Sequence, residues 1–203
     1  VSVANARRIG LLGGSFNPAH EGHVHISLEA LKRLRLHEIW WLVSPQNPLK
    51  KASDLEGYGL RFESACALAH HPRIRVLSVE QQRGLMYSVD TIRFLQTRHR
   101  DCHFVWLMGA DNLAGFHRWR CWRAIARRIP IAVLDRAPYG LRALHAPFAL
   151  QQRAQRVASQ AAATLGGSQQ PGWAYLTIPR HPLSATFLRK TLGTKAFLRH
   201  TQP

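Results

Sequence analysis

The chain has 203 residues, 46% of them hydrophobic, and a formal charge of +17 from 28 basic against 11 acidic side chains. This composition suits one domain with a substantial core and argues against disorder, and no apolar run reaches the roughly 18 to 20 residues that cross a bilayer. So basic a surface attracts polyanions such as nucleic acid, acidic membrane or polyphosphates, and charge alone ranks a nucleic-acid binder first. The Arg and Lys residues are nevertheless spread along the chain rather than gathered in one block. Cys66, Cys102 and Cys121 are scattered with no CxxC pair, which argues against a disulfide framework or thiolate zinc site and reads as small core residues. No signal-peptide core follows the first basic residues, so the expected setting is the cytoplasm.

In chain order, residues 8–12 read as a short buried strand ending in Gly13-Gly14, and 22–34 as a helix with Val24, Ile26, Leu28, Leu31 and Leu34 in largely helical spacing. Residues 38–43 form a second strand, rich in aromatic and β-branched side chains. After a Pro-containing loop come a helix over 60–69 and a strand over 74–79. Residues 88–98 are helical, with Ser88 or Asp90 suited to cap them. A fourth strand over 103–108 runs into Gly109-Ala110-Asp111, a Trp- and Arg-rich helix lies within 114–128, and 130–134 is a fifth strand. A long Ala- and Gln-rich helix over 148–164, closed by Gly166-Gly167, precedes a sixth strand over 173–178 and a final helix over 184–192.

Strands alternating with helices at this spacing predict an α/β fold: a central, mainly parallel sheet with helices on both faces, in a single domain over residues 1–203. Such sheets bind ligands beyond the carboxyl ends of their strands. The informative residues should therefore follow strands, as 13–23, 44–50 and 109–111 do.

The segment from Gly13 to His23, Gly-Gly-Ser-Phe-Asn-Pro-Ala-His-Glu-Gly-His, joins the first strand to the first helix. Paired glycines let the backbone turn sharply and approach a ligand, and the helix that follows aims its free N–H groups and positive dipole end at the loop, which suits phosphate. His20 and His23 are three apart, on one face of a helical turn, and Gly22 leaves the helix start unobstructed. Zinc binding by His20, His23 and His25 is a competing reading, but the segment is not HExxH and no local carboxylate or thiolate completes a site. Neither G-x-G-x-x-G nor a G-x-x-x-x-G-K-[ST] loop is present.

Gly14-Ser15-Phe16-Asn17-Pro18 followed by His20-x-Gly22-His23 resembles the signature region of the nucleotidylyltransferase superfamily, and within it the bacterial nicotinate-nucleotide adenylyltransferases. Further segments carry the likeness in the family's order. They are Pro45 to Lys50 after the second strand, Tyr87-Ser88-Val89-Asp90-Thr91, Gly109-Ala110-Asp111-Asn112-Leu113 with Trp119, and Leu183-Ser184-Ala185-Thr186-Phe187-Leu188-Arg189. At Leu49 the family often has His, so any imidazole role there is lost.

The resemblance implies a Rossmann-like nucleotidylyltransferase fold and adenylyl transfer from ATP to nicotinate mononucleotide, in NAD biosynthesis. It implies that His20 and His23 act on the ATP phosphates, and that Gly14, Ser15, Phe16, Gly22, Gly109, Asp111, Ser184, Thr186 and Arg189 complete the ATP side, the last three from a second phosphate-binding motif within 184–203. Gly13, Lys50, Tyr87, Ser88, Asp90, Thr91 and Trp119 form the acceptor side, with Trp119 stacking on the pyridine ring. Local alternatives remain: a solvated surface role for Lys50, a helix cap for Asp111 or Ser184, a core position for Trp119. Magnesium (Mg2+) is expected as the counterion of ATP, held chiefly by phosphates and water, and no protein metal site is expected. The motifs place nucleic acid below ATP as a partner, no membrane partner is expected, and homo-oligomerisation stays open. The alternatives are a relative acting on nicotinamide mononucleotide or phosphopantetheine and, from a different class, a non-catalytic basic nucleic-acid-binding protein.

Overall fold

The computed structural model describes residues 6–46, 55–135, 140–168 and 170–179. Lys50, Ser184, Thr186, Arg189 and the helix expected over 184–192 lie outside them. Among the described residues seven strands form one parallel sheet, β1 (Arg7–Gly14), β2 (Glu38–Val43), β3 (Ile74–Leu77), β4 (Cys102–Gly109), β5 (Ile131–Asp135), β6 (Arg156–Val157) and β7 (Trp173–Thr177), in the order β3-β2-β1-β4-β5-β7-β6.

The strands are apolar at nearly every position because both faces of the sheet are covered. Ile9, Leu11, Trp40, Leu42, Trp106 and Met108 enter one core, and Leu12, Ile39, Trp41, Val43, Val105 and Leu107 enter the other, following the period-two alternation of strand side chains. The first core is closed by α4 (Ser88–Arg98) through Val89, Ile92 and Leu95, and by α6 (Trp122–Arg128) through Trp122 and Ile125. The second is closed by α1 (Glu21–Arg33) through Ile26, Ala30 and Leu31, by Ala65 of α2 (Tyr58–Leu68), and by Leu165 of α8 (Ala163–Gly167). The remaining short helices are α3 (Val79–Arg83), α5 (Ala110–Gly115) and α7 (Pro147–Gln151).

From β1 the chain builds outward through β2 to β3, then returns to lay β4 on the other side of β1. The direction of winding reverses between β1 and β4, and in open parallel sheets the crevice beyond that reversal holds the ligand. Here it lies beyond Gly13-Gly14 and Gly109.

Three sequence-based expectations are corrected. The strand over 74–79 stops at Leu77, and Val79 begins α3. The helical stretch within 114–128 is split: α5 ends at Gly115, a 3-10 turn occupies Phe116–Arg118, and α6 starts only after Cys121 adopts φ 53. The Ala/Gln-rich segment over 148–164 is no long helix; α7 ends at Gln151, β6 pairs with β7, and α8 follows. High helix propensity there lacks a continuous apolar stripe: of the intervening side chains only Val157 packs on the core between Ala149 and Ala162. The Gln152 carbonyl instead accepts from the Trp173 indole at 2.7 Å, which anchors the break.

Gly166 does more than close that segment. A Cβ there would stand 2.3 Å from the Leu34 carbonyl oxygen at the end of α1, and this neighbour is backbone. Gly166→Ala is expected to lower stability by about 1–3 kcal/mol in urea denaturation; a change within about 0.5 kcal/mol would show that the two helices can separate freely.

Candidate active site

His20 sits at the N-cap of α1 with extended backbone, φ -155 and ψ 163, and its Nδ1 accepts the Gly22 N–H at 3.0 Å. His23 returns the arrangement: its Nδ1 accepts the His20 N–H at 3.2 Å. The pair forms a capping box in which imidazoles replace the usual hydroxyl and carboxylate. A backbone N–H can only donate, so Nδ1 of each ring must be the acceptor, and a neutral ring then carries its proton on Nε2. The fold thus fixes both imidazoles as Nε2–H donors at the positive end of a 13-residue helix.

The rings lie 4.0 Å apart between centroids, His20 buried and His23 half-buried. Behind them Phe16, buried and at φ 45, stacks on Trp41 at 5.1 Å and contacts His23 at 4.7 Å. The left-handed backbone at a bulky residue is strained and is held by this aromatic packing. Trp41 donates to Ser27 Oγ, which donates to the His23 carbonyl, each at 2.8 Å.

Arg61 ties the first loop to the loop after β2. It is 2% exposed, yet pairs with no carboxylate among the described residues. Its guanidinium donates instead to four backbone carbonyls: Glu56 at 2.9 Å, Ser15 at 2.5 Å, Ser44 at 2.8 Å and Pro45 at 2.8 Å. Burial lowers its pKa from the ordinary arginine value, while Tyr58 and Glu56 oppose the shift. Asn17 adds a second tie, its Oδ1 accepting the Glu56 N–H at 3.2 Å.

On the other face of the sheet, Gly13 makes room for Trp106. A Cβ at Gly13 would lie 2.7 Å from Trp106 Cη2. Trp106 meets Trp119 edge-on at 6.1 Å, and Trp119 packs on Phe116 at 5.2 Å. Trp119 is half-buried and packs on the core with one edge. Tyr87 caps α4 by backbone position only, with no side-chain cap, so neither Ser88 nor Asp90 fills the capping role expected of it. Asp90 is 3.7 Å from Arg93, and Thr91 donates its hydroxyl to Glu80 at 2.9 Å.

Glu80 is a buried carboxyl that the sequence did not single out. Burial raises its pKa, opposed by hydrogen bonds from Thr91 and Ser44. The Thr91 bond ties it to the start of α4, while Ser44 donates its N–H to the Gly14 carbonyl and lends its own carbonyl to Arg61.

His20, His23 and Phe16 thus stack in a row, Ser44 donates to the Gly14 carbonyl, and Thr91 donates to Glu80. Gly109 ends β4 and is the N-cap of α5, which places Asp111 inside the helix rather than at its cap. His25 hydrogen-bonds the Pro179 carbonyl at 2.7 Å, which brings the chain leaving β7 beside the start of α1. Cys66 and Cys121 are exposed rather than in the core.

Residues 11–190 match the cytidylyltransferase-like family model. The chain is 49% identical to a Bradyrhizobium sp. (strain ORS 278) protein named a probable nicotinate-nucleotide adenylyltransferase, over 92% of this chain and 97% of that one. The chain belongs to the cytidylyltransferase-like family, among the nicotinate-nucleotide adenylyltransferases. A Methylorubrum extorquens protein of the same name is 49% identical over 90% of this chain and 98% of its own. The fold matches the solved structure of a Plasmodium falciparum nicotinic acid mononucleotide adenylyltransferase complexed with NaAD, with TM-score 0.69 at 16% identity over 92% of this chain and 84% of that one. Among nicotinate-nucleotide adenylyltransferases, then, this chain builds its signature histidines into a helix cap and secures them with a buried arginine.

Two variants test this construction. Arg61→Met leaves several buried carbonyls without their donor, at about 1–3 kcal/mol for each unsatisfied group; a drop of at least about 2 kcal/mol is expected in denaturant titration, with Arg61→Lys recovering only part of it. Stability equal to the parent would mean that the loops are held by something else. For Glu80 the raised pKa means that the folded chain holds this proton more tightly than the unfolded one. Its contribution is complete below the ordinary value of 4.5 and is lost as pH rises through the elevated one. Glu80→Gln has no such proton to lose, so the melting temperature of the variant relative to the parent should climb from about pH 4 to about pH 8. A flat difference would remove the buried-carboxyl account.

Proposed function

We propose that this chain transfers the adenylyl group of ATP to nicotinate mononucleotide, releasing pyrophosphate and forming nicotinate adenine dinucleotide. The names of its close relatives support the reaction, and the reciprocal histidine cap is the observation that supports the mechanism. An oxygen of the mononucleotide phosphate attacks the α-phosphorus of ATP as the bond from that phosphorus to the bridging oxygen breaks, and pyrophosphate leaves with the electron pair. Nucleophile and leaving group are both phosphates, so no protein nucleophile is required. Catalysis is positioning plus stabilisation of charge on the phosphoryl oxygens.

His20 and His23 supply donors for those oxygens, already oriented by their own backbone. Because Nε2–H donates in the neutral ring as well as the charged one, these contacts do not need an imidazolium. Gly14, Ser15, Phe16 and Gly22 shape the ATP side of the loop, Gly109 and Asp111 face the nucleoside from the end of β4, and Asp111 can accept from a ribose hydroxyl. Gly13, Tyr87, Ser88, Asp90, Thr91 and Trp119 form the acceptor side. Lys50 on that side, and Ser184, Thr186 and Arg189 on the phosphates, complete the assignment by family likeness.

Magnesium enters this reading with ATP. Phosphate oxygens and water would hold the ion, its usual manner with nucleotides. A cytoplasmic setting belongs to the same reading; among the described residues no helix is long and apolar enough to cross a membrane.

The test separates capping from catalysis. Asparagine is a good N-cap without an Nε2 donor, so His20→Asn should keep the parent's melting temperature while losing about 100-fold or more in kcat. His20→Ala should lose both the activity and about 1 kcal/mol of stability, and His23→Ala should also lose activity. Turnover is followed as pyrophosphate release, with the dinucleotide identified by mass. Full activity in His20→Asn would end the proposed mechanism, and no product from ATP and nicotinate mononucleotide would end the proposed function.

A further inference from the structure

Arg120 is a side chain that neither the fold nor the mechanism above uses. It follows Trp119 directly, in the short segment where the chain breaks between the 3-10 turn and α6. Trp119 is extended, with φ -72 and ψ 142, and Cys121 is left-handed with φ 53. This forced turn puts Trp119 against Trp106 and Phe116 while Arg120 remains exposed. The Arg120 guanidinium lies 4.5 Å from the centre of the Tyr87 ring. Arg120 therefore bridges the two elements that the proposed function assigns to the pyridine ring, the Trp119 segment and the start of α4.

The charge is available. Among the described residues no carboxylate forms an ion pair with Arg120, and Asp90, whose field reaches it, is 3.7 Å from Arg93. A guanidinium stacked on an aromatic ring is held in place while its N–H edge stays open. Nicotinate and nicotinamide mononucleotides are nearly isosteric and differ in one charge on the pyridine substituent. A fixed cation beside the ring is a physical means of telling them apart, because a charge-assisted hydrogen bond is about twice as strong as a neutral one.

We propose that Arg120, held over Tyr87, is a specificity-determining residue that favours an acceptor carrying a carboxylate on its pyridine ring over the corresponding amide. The inference rests on the adenylyl-transfer reading and adds to it a residue that recognises the acceptor's charge. The Tyr87 ring orients the guanidinium, Trp119 sets the plane of the pyridine, and the open edge of Arg120 meets the carboxylate.

The experiment measures kcat/KM for nicotinate and nicotinamide mononucleotides with saturating ATP, in the full chain and in its Arg120→Ala and Arg120→Lys variants. Where the amide turns over too slowly, its constant as a competitive inhibitor replaces KM. In Arg120→Ala the acid-to-amide ratio should fall about tenfold or more, mainly through a higher KM for the acid. Arg120→Lys keeps the charge without the planar stack and should recover part of the ratio. Unaltered circular dichroism is the control for folding. A ratio equal to the parent's, whether both acceptors weaken together or neither does, overturns the role of Arg120 and leaves the adenylyl-transfer reading standing. Absence of dinucleotide from either acceptor in the unaltered chain overturns that reading, and this inference with it.

Discussion

The reciprocal cap between His20 and His23 couples the stability of the first helix to the chemistry of its mouth. Most helix caps spend a small polar side chain on one orphan N–H and have nothing left to offer a ligand. An imidazole has two nitrogens on opposite sides of a rigid ring, so one can cap while the other serves a ligand. The bond at Nδ1 fixes both the tautomer and the ring orientation. Gly22 between the two rings brings no side chain to the helix entrance, and a helix N-terminus favours an anion through its dipole.

That cap sits on a loop which would otherwise be free to shift, and Arg61 prevents it. A guanidinium shared among four carbonyls is an uncommon choice for a buried charge, which is more often met by a carboxylate. The choice has a consequence for function. Carbonyl dipoles satisfy the guanidinium without neutralising its charge, which suits the anionic substrates of the proposed reaction. Glu80 is the one buried carboxyl among the described residues, and burial itself favours its neutral form.

The strands were legible in the sequence because burial on both faces writes them as continuous apolar runs, and the crevice was legible because Gly13-Gly14 and Gly109 end two of them. The His20 and His23 spacing also read correctly as a single helical turn. Arg61 and Glu80 were not legible: each works through backbone carbonyls or hydroxyls distant in sequence, and a charged residue in an amphipathic helix looks the same whether it faces water or a loop. The long helix expected over 148–164 failed for the complementary reason. Alanine and glutamine state a local preference, and the pairing of β6 with β7 and the indole bond from Trp173 outweigh it.

The central claim concerns single protons, and nitrogen-15 correlation spectra of the imidazole rings observe them directly. For both His20 and His23 the account predicts an unprotonated Nδ1 and a proton on Nε2, with the Nε2 resonances moving when ATP is added. A proton on Nδ1 of either ring, or Nε2 signals indifferent to saturating ATP, would contradict it.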